Sequence, residues 1–142
     1  MPCKAEAFAG LFISKYILMD EKAKKHFSKG EQEFHRADRE MYKPEEDIVS
    51  LVVCRSTLGS IEHYLKGFLA LRGFETREDE RIGDLMERCR MLDSKFNSIR
   101  IEEIDCRNQK DPDLHCEEIE KFGACHQVAD QLDSLMRKKG IL

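Results

Sequence analysis

The stretch IVSLVVCRSTLGSIEHYLKGFLALRG, residues 48–73, decides the fold. Ile48, Leu51, Val52, Leu58, Ile61, Leu65, Phe68 and Leu69 return at intervals of three and four, the spacing that gathers side chains on one side of an α-helix. The apolar surface they make is wider than a two-stranded coiled-coil seam, so the segment is expected to pack against more than one neighbour. Its limits are written in the chain. Pro44 bars its predecessor from helical geometry and suits a first turn, where Glu45, Glu46 and Asp47 favour the positive end of the helix dipole. Gly73 is the natural C-terminal cap.

Upstream, Phe12, Tyr16, Met19, Ala23, Phe27, Gly30, Phe34, Ala37 and Met41 continue the same period. Gly30 and the Ser28-Lys29 pair weaken the middle, and Asp20 is able to cap a fresh start, so one bent helix and two shorter ones both fit. Downstream, Thr76 with Asp79 resembles a helix start, followed by Ile82, Leu85, Met86, Cys89 and Leu92 at helical spacing. A shorter helix is expected around Phe96, Ile99 and Ile104. Asp111-Pro112 reads as a cap followed by Pro at the first helical position, and Ile119, Phe122, Ala129, Leu132 and Met136 form the stripe of a last helix. Arg137, Lys138 and Lys139 suit the negative end of its dipole before Gly140. No strand-like alternation competes. These features predict an all-α, antiparallel helical bundle of five or six helices in a single domain over residues 1–142. Broad apolar faces in so small a chain also predict a homodimer.

Composition narrows the function classes. Of 142 residues, 41% are hydrophobic and 37% charged, with 3 Pro and 8 Gly, a helix-rich globular balance. A formal net charge of -4 provides no general attraction for nucleic acid or an anionic membrane, so any such binding needs a local patch. The 6 cysteines lie far apart in a chain large enough to fold by burial, which argues against a disulfide framework and for a reducing, cytoplasmic setting. The apolar stretch Ala7 to Met19 is broken by Lys15 and is too short to span a bilayer, so neither a signal peptide nor a membrane helix is expected.

The residues Ile48 to Leu51 and Ser60 to Phe74, with Ile82-Gly83-Asp84-Leu85-Met86-Glu87-Arg88-Cys89, resemble the HEPN family. Its members carry an acid and a Lys with aliphatic neighbours in the second helix, matched here by Glu62, Leu65 and Lys66. A Gly follows, then a helix that begins near a Thr-His pair. Glu80 and Arg81 stand where that pair would fall, so the His is absent. The resemblance implies a dimerising bundle that partners a nucleotidyltransferase in a toxin-antitoxin type system. Other members are metal-independent ribonucleases in which an Arg, sometimes followed by Asn, precedes a His by four to six residues. The nearest match is Arg107-Asn108 with His115, but seven residues intervene between Arg107 and His115, and Asp111-Pro112 lies among them, where a helix break is expected. A dimeric binding module is therefore the leading expectation, and a ribonuclease using Arg107, Asn108 and His115 the alternative.

Residue chemistry supplies the remaining candidates. An Arg at position 107 would hold a phosphate by a bidentate contact while His115 moves protons, provided a loop brings them together; the plainer reading is a polar loop and an exposed first-turn His. Cys106, His115, Cys116, Cys125 and His126 are metal-ligating types, but the doublets put adjacent side chains about 100° apart around a helix, so no metal is expected, and no cofactor. Glu62 is either a buried functional carboxylate or, more simply, the partner of Lys66 one turn later. His63 and Tyr64 beside it line either a binding groove or a flanking helix surface. Lys22, Lys25 and Lys29 recur on one face and would meet phosphates of RNA or a nucleotide, although most such runs are solvated faces. The glycines never cluster into a phosphate loop.

Overall fold

A computed structural model describes residues 21–101 and 119–142. Among them are four α-helices, α1 (Glu21–Met41), α2 (Ser50–Leu71), α3 (Ile82–Leu92) and α4 (Ile119–Lys138), with 3-10 turns at Glu45–Asp47 and Ser94–Ser98, and no strand. The all-α expectation holds for these residues. The count of five or six does not, because the segment around Phe96 closes as a single 3-10 turn and then runs extended. Asp93 explains the tight turn: its carboxylate accepts the Lys95 N–H at 2.9 Å, capping a stretch that ends at Ser98.

Helix α1 passes through Gly30 without a break and buries Ala23, Phe27, Gly30, Phe34, Ala37 and Glu40. The glycine that weakens the helix locally is needed by its neighbour. A Cβ at Gly30 would lie 2.7 Å from Tyr64 Cδ1, and one at Gly67 would lie 2.9 Å from Phe27 Cε1, so each helix offers a glycine to an aromatic ring of the other. The pairings Phe27 with Gly67, Gly30 with Tyr64 and Glu33 with Gly59 also set the register, with the two helices running in opposite directions. Glu40 closes the connection between them, accepting the Val49 N–H at 2.9 Å and the Lys43 ammonium at 3.0 Å.

The end of α2 is a Schellman turn: Gly73 has φ 87°, its N–H donates to the Ala70 carbonyl at 3.0 Å, and Phe74 N–H reaches back to Leu69 at 2.8 Å. The same pattern closes α4 at Gly140. Helix α3 begins at Ile82, after Arg81, later than the Thr76–Asp79 start predicted from the chain. Glu80 organises the intervening loop, its carboxylate accepting from both the Arg77 N–H at 2.9 Å and the Arg88 guanidinium at 2.8 and 2.9 Å. Asp79 meets the exposed Arg77 side chain.

One core joins these elements. Val53, Ile61, Leu65, Leu69, Leu85, Met86, Phe96, Leu132 and Met136 are fully buried in it, and Phe96 tilts against Phe68 with centroids 4.7 Å apart. Asp38 meets His126 and Glu31 meets Arg137, so α1 also runs opposite to α4, and α2 and α4 share a direction. No helix among the described residues is long and apolar enough to cross a membrane.

Candidate functional site

The glycine-aromatic register between α1 and α2 carries two histidines into contact. His26 precedes Phe27 on α1, His63 precedes Tyr64 on α2, and their Nδ1 atoms lie 2.9 Å apart. The ring centroids are 5.2 Å apart and the planes tilted by 33°, so the rings meet nearly head-on through these nitrogens rather than stacking. Such a contact requires one ring to present Nδ1–H and the other a bare Nδ1. Both rings are half-buried. Burial is the first cause that pushes His63 down to about 4, with His26, Lys66 and Lys29 adding repulsion and Glu62 alone opposing it. His26 is lowered for the same reasons, burial first, then Lys66 and Lys22 against Glu62, with Lys25 adding to the repulsion. Both imidazoles are thus held below their ordinary value beside Lys22, Lys25, Lys29 and Lys66, with Glu62 among them.

Lys66, on α2, acts on both histidines. It is buried, and its ammonium lies 3.4 Å from Glu62 Oε1 one turn earlier. The other lysines lie on exposed turns of α1, where Lys22, Lys24, Lys25 and Ser28 line an open depression together with Glu21. Apart from that depression, Lys22, Lys25, Lys29 and Lys66 make the surroundings of the hydrogen-bonded imidazole pair cationic, with Glu62 opposing them. Such surroundings suit an anion with several oxygens.

Tyr64 is adjacent to His63 in sequence but turned into the core. It is fully buried, and its hydroxyl donates to Asp133 Oδ1 at 2.7 Å. Asp133 in turn takes the Arg137 guanidinium at 2.9 Å, and Arg137 reaches Glu31 at 3.0 Å, so one chain of polar contacts ties α2, α4 and α1. Burial and the Asp133 carboxylate raise the Tyr64 hydroxyl well above the ordinary phenol range. Of the four residues singled out on α2, Glu62, His63 and Lys66 share the cationic face, and Tyr64 serves the interior.

Arg107, Asn108 and His115 lie outside the described residues, as do Cys106 and Cys116. Cys125 is buried in the core, and His126 stacks on Phe34 with its Nε2 3.3 Å from Asp38 Oδ1, an approach that misses hydrogen-bond geometry. Among the described residues no three His, Cys, Asp or Glu side chains converge as metal ligands. Glu80, one of the two residues standing where the family's Thr-His pair would fall, is committed to Arg88 in front of α3.

Sequence reading passed over His26. The signal for it lay in the register, since opposing Phe27 to Gly67 across antiparallel helices brings the preceding residue toward His63. That register depends on which glycine faces which ring, and neither helix contains that information alone. Comparison with protein-family models, with curated proteins and with solved structures finds no match to this chain.

Proposed function

We propose that this protein is a helical binding module of the HEPN kind that takes phosphates of RNA or a nucleotide on the α1–α2 face bearing Lys22, Lys25, Lys29, His26 and His63. It works as a homodimer, and a nucleotidyltransferase is the protein partner that the family resemblance implies. The observation that carries the binding reading is the half-buried His26–His63 contact with lysines gathered around it on a chain of net charge -4. An acidic protein that concentrates cations on one face spends no general attraction on nucleic acid and confines it to that patch. Glu62, through its contact with Lys66, balances the patch and positions that buried ammonium.

The test is fluorescence anisotropy with an end-labelled single-stranded RNA. Binding is expected to weaken with salt, and the Lys25→Ala and Lys29→Ala variants are each expected to flatten the salt slope by about one unit if each lysine meets one phosphate. Absence of binding at low salt, or binding that both variants leave untouched, sinks the reading. Cleavage of the RNA that is lost in Arg107→Ala and His115→Ala would replace it with the ribonuclease. Light scattering checks the homodimer, and co-elution with the nucleotidyltransferase checks the partner.

A further inference from the structure

We infer that the His26–His63 pair couples phosphate binding to proton uptake: an anion on the lysine face draws one proton, and only one, onto the two imidazoles. This rests on the binding face proposed above and adds its regulation. The stoichiometry follows from the head-on contact. In the neutral pair, one ring presents Nδ1–H to the other ring's bare Nδ1, leaving the donor ring with a bare Nε2 and the acceptor ring with Nε2–H. A proton added to the bare Nε2 makes the donor ring an imidazolium whose Nδ1–H still donates, so the 2.9 Å contact survives and strengthens. A second proton would have to occupy the remaining Nδ1, setting two N–H groups and two positive charges against each other. The pair therefore accepts a first proton and refuses a second.

The surroundings determine when the first proton arrives. Lys22, Lys25 and Lys29 face the pair from α1, and Glu62 and Lys66 from α2. Burial disfavours the charged pair whatever is bound, but the lysine repulsion is a field that an anion on the same face cancels. Phosphate oxygens and the imidazolium then attract each other directly, and each binding event favours the other by the same factor. A cation in place of the anion is disfavoured by the same lysines, and the head-on nitrogens leave no gap for an ion between them.

The test is calorimetry with a single-stranded oligonucleotide, whose phosphodiester charge is constant across the range, at pH 6 and pH 7.5 in buffers of different ionisation enthalpy. Proton uptake should be greater at pH 6 than at pH 7.5 and stay below one per site, with affinity rising by at most tenfold per pH unit of acidification. In the wild-type protein at pH 6, the Cε1–H resonances of His26 and His63 should move toward the imidazolium position as oligonucleotide is added. Replacing both rings together, His26→Gln with His63→Gln, should abolish the uptake, whereas either single variant leaves one imidazole that still titrates. Binding without proton exchange, stationary histidine resonances, or uptake above one overturns the coupling and leaves the binding face standing. No binding of the oligonucleotide overturns the face itself. A parallel titration with sulfate separates sources: proton uptake on sulfate without oligonucleotide binding keeps the coupled anion site and removes the nucleic-acid strand.

Discussion

Tyr64 and His63 are neighbours in sequence that answer to opposite environments. The Tyr64 hydroxyl is the only polar atom of a fully buried ring and donates to Asp133 at 2.7 Å. Tyr64→Phe would remove the donor and leave Asp133 to Arg137 alone, a cost of about 1–2 kcal/mol, measurable as a lowered urea midpoint at unchanged slope. His63 makes stability depend on pH. An unfolded imidazole takes its proton near 6.5, whereas the folded ring resists until about 4, because burial and His26 oppose the charge. Between those values the unfolded chain binds more protons than the folded one, so stability rises with pH across the window and is fully present above it. After allowance for solvent screening the change is on the order of 2 kcal/mol, and His63→Gln should flatten the profile in urea titrations at pH 4.5 and pH 7. Cys89 is a third case, its thiol pushed up to about 12 by burial against α2. It should resist iodoacetamide at pH 8 in the native protein and react on unfolding. Of these three, only the burial of Cys89 was legible beforehand, from its place in the apolar stripe of α3. The environments of His63 and Tyr64 depend on partners 37 and 69 residues away, which no local spacing encodes.

Between elements, the decisive contacts are close approaches at glycine. Gly30→Ala would gain up to about 1 kcal/mol of helix propensity in α1. It would also force a Cβ to 2.7 Å from a Tyr64 ring that is itself fully buried and hydrogen-bonded at its far end. Overpacking should win, with a net loss of about 1–2 kcal/mol in thermal or urea unfolding. A gain in stability would show that the α1–α2 seam relaxes and that its register is softer than described. The periodic stripe from Phe12 to Met41 contains the helix described at Glu21–Met41 but left open whether Gly30 divides it, and Gly73 and Gly140 announced the ends of α2 and α4, because caps are local chemistry. The start of α3 was misread because the predicted Thr76–Asp79 box is also local chemistry, and it lost to a longer-range set of bonds from Glu80 to Arg88.

At the scale of the whole molecule, the described elements meet around α2, which packs against α1 on one side and α3 and α4 on others. The 3-10 turn at Ser94–Ser98 supplies Phe96, fully buried against Phe68 of α2, and Lys139 beyond α4 lies over the same Phe68 ring and also contacts Asp93. Phe96→Ala should cost about 3–5 kcal/mol in equilibrium unfolding. The amino-acid sequence by itself determined the helical class, the apolar faces and two of the helix ends, since spacing and capping act within a few residues along one chain. Only the tertiary structure decided which glycine meets which ring, and therefore that His26 and His63 face each other while Tyr64 turns inward. Those outcomes depend on how two helices slide against each other until their side chains fit, a choice made by packing between segments distant in the chain.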